Sequence, residues 1–239
     1  MYKLHINFNY ICFVSKTELA DKIILDINNF VPNHSIDCVI IGYEEGALKV
    51  LVLKWKGTDF WTLPGGFVNK DEDIDESAIN VLKMRTGLRL PFLEQFHTFG
   101  KISRRNDSLI QDMSAKMPEL SKEFKEWISQ RFISTSYISL VDINKCKIEV
   151  DPYSELYEWR AIANLPNLIY DHKEMVDKAL EKLKRQINYL PIGINLLPNK
   201  FLMKDLQGVY ESILERSLDR GNFQKTHRLT DKQHGMTSI

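Results

Sequence analysis

The sequence predicts an α/β protein, in which strands alternate with amphipathic helices, followed by a small helical segment. Three observations lead to this prediction. Runs rich in Val, Ile and Leu have strand length at residues 36–42 and 47–54. Apolar residues recur every three to four positions at residues 73–86 and 172–187, as in helices that bury one face. A turn-rich break at residues 191–198 then separates this pattern from the C-terminal segment.

Composition excludes several classes of protein. The 239 residues are 44% apolar, 10% aromatic and 27% charged, which supports a folded core rather than a disordered chain. Lys+Arg and Asp+Glu balance at 32 each, which excludes a uniformly basic nucleic-acid coat protein but permits a local basic face. The three cysteines, Cys12, Cys38 and Cys146, lie far apart and indicate reduced thiols. No apolar run approaches the roughly 18 residues of a membrane span, so we expect a cytoplasmic protein.

The first part of the chain contains an N-terminal extension and a hairpin. Residues 1–35 form the extension, and their apolar spacing predicts a helix over 17–30. The turn at 44–46 joins the first two strands into a hairpin. A short strand at 60–63 then runs into the breaker Pro64-Gly65-Gly66.

A helix and three further strands follow. The helix over 73–86 ends at Gly87, a residue that suits a C-terminal cap. The further strands are predicted at 93–102, 132–143 and 155–162. Between the first two, apolar residues at helical spacing indicate a helical insertion over 106–130. We interpret it as a packing element that covers a sheet edge; the alternative is a role in dimer formation or in covering a pocket.

Residues 171–187 form the most regular predicted helix. Asp171 and Glu174 have the spacing of a capping box at its start. We interpret His172, next to this cap, as a structural rather than a catalytic residue.

The C-terminal segment has the proportions of a helix-turn-helix. A helix is predicted over 202–214, followed by a turn at 215–219 and a basic segment that begins at Arg220. Residues 220–232 contain four Lys or Arg against one acid. This is the local basic face that a net charge of zero concealed; the alternative is an ordinary solvated basic helix.

Residues 63–88 resemble the Nudix box, whose pattern is G-x5-E-x7-R-E-U-x-E-E-x-G-U, where U is an aliphatic residue. The matching positions are Gly66, Glu72, Leu82, Gly87 and Leu88. The resemblance implies a Nudix α/β/α sandwich with a mixed sheet.

The residues that give this box its chemistry are replaced. In the family, glutamates on one face of the helix bind magnesium. The arginine position and the three glutamate positions hold Asn80, Val81, Met84 and Arg85. Magnesium requires hard oxygen ligands, which these side chains lack at the glutamate positions, and Arg85 would repel the metal. We interpret the acidic stretch at 71–76, which includes Glu72, as a favourable first turn of the helix. We therefore expect neither catalysis nor a metal or other cofactor.

The alternative is a Nudix pyrophosphohydrolase that acts on a nucleoside diphosphate derivative such as ADP-ribose. Such an enzyme would have to use metal ligands outside the box.

Motifs after residue 163 resemble those of the Nudix-related transcriptional regulators, in which a Nudix-like domain is fused to a C-terminal winged helix-turn-helix. These motifs are Asn164-Leu165-Pro166, residues 170–175, Pro191-Ile192-Gly193, residues 195–198 with Phe201, residues 206–211 and residues 218–223. The resemblance covers about residues 36–228. It implies a homodimer that binds double-stranded operator DNA and responds to a small-molecule effector. Some members sense ADP-ribose-type compounds, and others, with degenerate boxes, sense sugars such as the pentose arabinose.

By this resemblance the chain has three parts after its N-terminal extension. Residues 36–165 form a Nudix-like effector-sensing domain, residues 166–190 a linker helix, and residues 191–239 a winged-helix DNA-binding domain. The polar end of the sequence lacks the alternation of a wing hairpin, so we expect the wing to be missing or incomplete.

Candidate binding residues follow from position and chemistry. Cations and a stacking aromatic near strand ends would suit a sugar or a phosphorylated effector; they are Lys54, Trp61, Arg104 and Arg105. The alternatives are core packing for Trp61 and plain exposure for the two arginines. For DNA we expect phosphate contacts from Arg220, Lys225 and Arg228, and base-edge contacts from Asn222 and Gln224. Besides a regulator and a hydrolase, a sensor that acts through protein contacts is a third interpretation.

Overall fold

The computed structural model describes residues 26–87, 92–104, 111, 115–116, 121–151, 153–187, 189 and 192–227. Its strands are β1 (Phe30–Glu44), β2 (Ala47–Trp55), β3 (Trp61–Thr62), β4 (Gly65–Asn69), β5 (Phe92–Phe99), β6 (Ile133–Val141) and β7 (Ser154–Ala161). The longer helices are α1 (Ile74–Thr86), α2 (Lys122–Ile128), α3 (His172–Gln186), α4 (Met203–Leu214) and α5 (Arg220–His227). Short 3-10 turns lie at Ile27–Asn29, Ile102–Arg104, Ile143–Lys145, Ile162–Asn164 and Ile192–Leu196.

The described strands form one mixed sheet with β1 at its centre. The strand order is β3-β2-β1-β6-β5, with β4 paired to β1 and β7 paired to β2. The β1–β6 pair is parallel and runs from His34 opposite Ile133 to Gly42 opposite Val141. The other pairs are antiparallel. The mixed sheet that the sequence predicted is therefore confirmed.

Helices cover both faces of this sheet because β1 is apolar on both sides. Ile36, Cys38 and Ile40 pack in one buried cluster with Ala78 and Leu82 of α1. The intervening residues of the strand pack in a second cluster with α3 on the opposite face; this cluster includes Val39, Ile41, Met175, Val176 and Leu183. Since successive side chains of a strand point to opposite faces, this alternation produces the α/β/α layering.

The C-terminal helices pack on the same core as α3. Leu206, Val209 and Ile213 of α4 are buried in one cluster with Leu48 and Val50 of β2. Polar contacts support this packing at the β1–β2 hairpin, where Ser212 Oγ donates to the carbonyl of Gly46 at 3.1 Å. A Cβ atom on Gly208 would lie 2.5 Å from Tyr43 Oη, so the helix approaches the hairpin too closely for a larger residue there. The first helix of the helix-turn-helix is thus joined directly to the sheet.

The structure corrects two predictions near the start of the sheet. The helix predicted over 17–30 falls largely on residues outside those described, but its end is wrong, because β1 begins at Phe30. Strand β4 was not predicted, since Pro64-Gly65-Gly66 has the composition of a break. Gly65 nevertheless pairs with Asp37, and a Cβ atom there would lie 2.4 Å from Asp37 Oδ1. The glycines therefore permit close strand pairing and do not end the strand.

The remaining elements follow the sequence pattern closely. Helix α1 ends at Gly87 with φ +70, the left-handed conformation predicted for its cap. The predicted insertion contains α2, and several of its residues lie outside those described. No helix in the described part of the chain is long and apolar enough to span a membrane.

The shared core predicts that α4 contributes strongly to stability. Ile213 is fully buried, so we expect Ile213→Ala to lower the free energy of unfolding by about 3 kcal/mol in a denaturant titration. The matched control is Ile102→Ala, because Ile102 is 81% exposed and its truncation should cost less than about 0.5 kcal/mol. Equal effects of the two substitutions would contradict the packing of α4 on the sheet.

Candidate functional site

A buried polar cluster lies where β1, the turn after β5 and the start of α3 meet. Its members Asp37, Arg104 and His172 are each less than 9% exposed. Ser134 Oγ donates to Asp37 Oδ2 at 2.6 Å, and Arg104 Nη2 lies 3.6 Å from the same oxygen. Arg104 Nη1 also lies 2.9 Å from Asp171 Oδ1. One buried guanidinium is therefore held between two carboxylates that belong to different elements.

His172 has a structural position in this cluster. Its Nδ1 accepts a hydrogen bond from the Leu63 N–H at 3.0 Å, which leaves the ring proton on Nε2, 3.5 Å from Asp37 Oδ1. Burial lowers the pKa of His172. The charge of Asp37 opposes this shift, and the charge of Arg104 adds to it. The imidazole is therefore neutral and holds the β3–β4 connection against α3, as its interpretation as a structural residue requires.

The predicted capping box at Asp171 is wrong. The Asp171 side chain makes no capping hydrogen bond to α3. It forms an ion pair with Arg104 instead, because a buried guanidinium without a charged partner costs more free energy than a helix end without a cap.

A second buried arginine, Arg85, occupies a glutamate position of the box. Its Nη1 lies 2.9 Å from Asp151 Oδ1, and both residues are 7% exposed. Burial lowers the pKa of Arg85, and Asp151, Tyr153 and Asp37 oppose this effect. Arg85 thus forms an internal ion pair between the end of α1 and the segment before β7.

The other box positions do not fit a magnesium ion. Val81 packs its methyl groups against Gly66, where an added Cβ atom would lie 2.8 Å from Val81 Cγ2. Met84 is exposed, and among the described residues no group of three His, Cys, Asp or Glu could hold a metal ion. A hydrophobic contact and an ion pair therefore occupy two of the glutamate positions of the box.

Glu72 stabilises the start of α1. Its Oε2 accepts from Ser77 Oγ at 2.9 Å and its Oε1 from Asn80 Nδ2 at 3.0 Å. Glu72 thus lies just before the N-cap residue Asp73 and contacts two residues of α1.

The two arginine clusters contain unused hydrogen-bonding capacity. Arg85 Nε, Arg104 Nη1 and both carboxylate oxygens of Asp171 are buried, yet none makes a well-formed hydrogen bond within the described part of the chain. The close approach of Arg104 to Asp171 is an ion pair without good hydrogen-bond geometry. Since most buried polar groups have partners, these atoms are candidates for ligand contacts.

The structure brings together only some of the predicted effector contacts. Lys54 and Trp61 are cross-strand partners on β2 and β3. Lys54 is near Asp59 and Glu155, at 3.9 and 3.7 Å, and Trp61 is half-buried beneath the Arg160 guanidinium. Simple exposure is wrong for Arg104, which lies in the buried cluster. Arg105 lies outside the described residues.

An aromatic cluster beside the arginines has no counterpart among the predicted site residues. It comprises Trp55, Phe60, Phe124, Tyr153 and Tyr170, which pack with Ile128 around Ile169. These residues come from four separate segments of the chain, so no local spacing in the sequence indicates that all of them meet. The sequence contained one signal for this cluster, which is the presence of aromatic residues near the predicted chain breaks.

A separate cleft next to α1 has an acidic lining. Its volume is about 370 Å³, and it is lined by Asp75, Ile79, Leu93, Glu94, Gln95 and Tyr137. Two carboxylates make this cleft unfavourable for a phosphorylated ligand.

The helix-turn-helix is fixed by side chains in its turn. Glu211 Oε1 accepts from the Leu218 N–H at 2.8 Å and from Gln207 Nε2 at 3.0 Å. Asp219 Oδ1 then accepts from the Asn222 N–H at 2.8 Å at the start of α5. Phe223 packs inward against Tyr210, with 5.1 Å between ring centroids.

This packing decides which predicted DNA contacts face solvent. Arg220, Asn222 and Lys225 are exposed on α5, and Gln224 is half-buried. Arg228 lies outside the described residues.

The buried His172 predicts a pH dependence of stability. The unfolded chain takes up its proton near the ordinary pKa of 6.5, whereas burial lowers the folded pKa. The stabilisation is therefore complete above pH 6.5 and decreases as the pH falls through this value, by at most about 1.4 kcal/mol per pH unit. We expect His172→Asn, whose side-chain oxygen can accept from Leu63, to flatten the dependence measured by denaturation between pH 7.5 and 5.5.

The control for this measurement is His97→Asn, since His97 is exposed. Burial also lowers the pKa values of His34 and His227, so part of the dependence should remain. An unchanged slope in His172→Asn would contradict the assignment.

Comparison with known proteins agrees with both halves of this structure. Residues 193–231 match the family model of the NrtR DNA-binding winged helix domain. A relative from Acinetobacter baylyi, described as the ADPR responsive transcriptional repressor NtrR, is 25% identical over 201 residues, which cover 81% of this chain and 71% of the relative.

Two solved structures have the same fold. Shewanella oneidensis NrtR, crystallised in complex with a 27mer DNA, is 24% identical with a TM-score of 0.64, over 82% of this chain and 83% of its own. A MutT/nudix family protein from Enterococcus faecalis is 20% identical with a TM-score of 0.66, over 83% of this chain and 81% of its own. The predicted fold is therefore confirmed, and the resemblance predicted from the sequence is supported: the chain has a Nudix-like fold followed by a segment that is similar to the NrtR winged-helix domain.

Proposed function

We propose that the chain is a DNA-binding transcriptional regulator that responds to an ADP-ribose-type nucleotide bound in its Nudix-like domain. The observation that carries this proposal is the segment that matches the NrtR winged-helix model. In the structure its first helix is packed on the sheet, and its second exposes a polar face.

The exposed face of α5 supports the DNA half of the proposal. Arg220 and Lys225 supply cations for phosphate oxygens, and Asn222 offers an amide for a base edge. Phe223 packs against Tyr210 and holds the helix in place, so these side chains project from a fixed surface. A structural neighbour of this fold is named as a complex with a 27mer DNA.

The two arginine clusters support the effector half. Arg85 Nε, Arg104 Nη1 and the Asp171 carboxylate lack well-formed hydrogen bonds within the described part of the chain. Guanidinium donors suit phosphate oxygens, and carboxylate acceptors suit ribose hydroxyls. A ligand with both kinds of group is a phosphorylated sugar, and the relative's name specifies ADP-ribose. A free pentose offers no phosphate oxygen to these arginine donors. ADP-ribose is therefore the favoured effector.

The same residues support a role without catalysis. Val81 and Arg85 provide a methyl contact and a buried ion pair in place of metal ligands. The relative is named as a repressor. The homodimer remains a prediction from family resemblance.

A substitution on α5 tests DNA binding. We expect Lys225→Ala to weaken binding to all duplexes and to reduce the slope of log affinity against log salt by about 1, because one phosphate contact is lost. Binding to the chain's own promoter DNA and to random duplex would be measured by fluorescence anisotropy at several salt concentrations. The matched control is Lys122→Ala on α2, whose side chain is 84% exposed.

A wild-type chain that shows no preference for the promoter over random duplex would count against a specific regulator. An equal loss in Lys122→Ala would attribute the effect to overall charge.

Thermal denaturation with ADP-ribose tests the effector. At 100 times its dissociation constant, ADP-ribose should stabilise the wild-type chain by about 2.7 kcal/mol. We expect Arg104→Gln to abolish this gain, since it removes the guanidinium that is proposed to bind the phosphate oxygens of the effector. Arg185→Gln, on the exposed side of α3, is the matched control.

The same samples, incubated with Mg²⁺ or Mn²⁺, should release no AMP from ADP-ribose. Turnover that disappears in Glu72→Gln would contradict the absence of catalysis and revive the pyrophosphohydrolase.

A further inference from the structure

We propose that Tyr43 is a positioning residue, whose hydroxyl fills a gap at Gly208 in α4 and fixes the helix-turn-helix on the sheet in its DNA-binding position. This inference rests on the proposed function and names the contact by which the Nudix-like fold determines the affinity of α5 for its DNA site.

A glycine in the middle of α4 marks this contact. Gly208 lies inside the helix, where glycine is less stable than alanine because it loses more backbone entropy on folding. An added Cβ atom would lie 2.5 Å from Tyr43 Oη but 3.6 Å from Tyr43 Cζ. The glycine therefore leaves a gap the size of one methyl group, and the tyrosine hydroxyl, not its ring, occupies this gap.

The Tyr43 hydroxyl also has polar neighbours on α4. Burial raises the pKa of Tyr43, a hydrogen bond with Ser212 opposes this shift, and the charges of Asp205 and Glu211 add to it. These three residues and Gly208 all lie on α4, so the oxygen is close to more than one turn of the helix. Ser212 Oγ also donates to the Gly46 carbonyl at 3.1 Å, which joins the β1–β2 hairpin to α4 at a second point.

The other contacts between α4 and the sheet are less specific. The apolar side chains of α4 share one buried cluster with those of β2; they are Leu206, Val209, Ile213, Leu48 and Val50. Apolar packing is non-directional, so these side chains hold α4 against the sheet without fixing its position along the surface. A hydroxyl in a gap of one methyl group does fix this position, because a shift of α4 along its axis brings the side chains one turn away against the oxygen.

The position of α4 determines the position of α5. Gln207 Nε2 donates to the Leu218 carbonyl at 3.0 Å, and Glu211 accepts from the Leu218 N–H at 2.8 Å. Phe223 of α5 packs on Tyr210 of α4, so the two helices form one unit. In the homodimer predicted from family resemblance, two such units read half-sites at a fixed separation. A displaced α4 would therefore change the spacing of the two α5 helices.

A double-mutant cycle on Tyr43 and Gly208 tests this assignment by fluorescence anisotropy with promoter DNA. Gly208→Ala should weaken binding about ten-fold, equivalent to about 1.4 kcal/mol, since its methyl group meets the hydroxyl and displaces α4. Tyr43→Phe should weaken binding about three-fold, because it leaves the gap empty. In Tyr43→Phe/Gly208→Ala the added methyl group lies 3.6 Å from the ring carbon Cζ, which is an ordinary contact. Binding by this double variant should return to within about two-fold of the wild type.

Two further measurements separate positioning from a role in stability alone. Affinity for random duplex should stay within about two-fold in every variant, since phosphate contacts do not depend on half-site spacing. Gly208→Ala should lower the melting temperature of the wild-type chain by about 3 °C but raise that of Tyr43→Phe, where the helix gains an alanine without a clash. The matched control is Tyr189→Phe, which removes a hydroxyl from a residue that is 86% exposed and should change none of these quantities.

Equal losses in Gly208→Ala and in the double variant would overturn the assignment, because the loss would then arise in the helix and not from the hydroxyl. Equal losses on promoter and random duplex would overturn it as well, and so would opposite melting-temperature shifts without a change in promoter affinity. A wild-type chain without promoter preference would overturn the proposed regulator together with the positioning role. In a chain with that preference, each of the other results overturns the positioning role alone.

Discussion

The burial of Arg104 is the constraint on which the geometry of the Nudix-like domain depends. Removing one partner of a buried charge costs about 3–5 kcal/mol, so a buried guanidinium fixes the carboxylates that surround it. Asp37 lies on the central strand, Asp171 precedes α3, and Arg104 ends the turn after β5. Three elements distant in sequence must therefore meet at one point. His172 adds a further constraint, because its ring accepts from the Leu63 N–H on one side and lies near the Asp37 carboxylate on the other.

The elements that hold this cluster also hold the helix-turn-helix. Helix α3 begins beside Arg104, and near its other end Lys184 Nζ lies 2.8 Å from Glu215 Oε2 in the turn after α4. Strand β1 contains both Asp37 and Tyr43, and the Tyr43 hydroxyl lies next to Gly208 of α4. A strand and a helix thus connect the proposed effector site to the proposed DNA-binding segment. For a regulator, this means that a ligand with different affinities for two positions of α3 has a direct physical connection to the DNA contacts.

The sequence predicted the elements better than it predicted the site. Periodicity located α1, α3 and α4 because each buries one apolar face, and Gly87 marked a helix end because its left-handed backbone favours glycine. Strand β4 was missed because a glycine pair that permits close pairing has the same composition as a break. Asp171 was read as a cap because local spacing carries no information about Arg104, 67 positions away in the sequence. The aromatic cluster was missed for the same reason, since its members meet only after folding.

The replaced box positions form a consistent set when their charges are considered together. Three carboxylates on one helix face repel each other unless a cation neutralises them, and burial increases the cost. A domain that has lost the metal is more stable if these charges are lost as well. Val81 replaces one with a contact to Gly66, Met84 lies exposed to solvent, and Arg85 pairs with Asp151 inside the protein. The charge of Arg85 is therefore balanced by Asp151 within the chain, and none of these three side chains requires a bound cation to offset its charge.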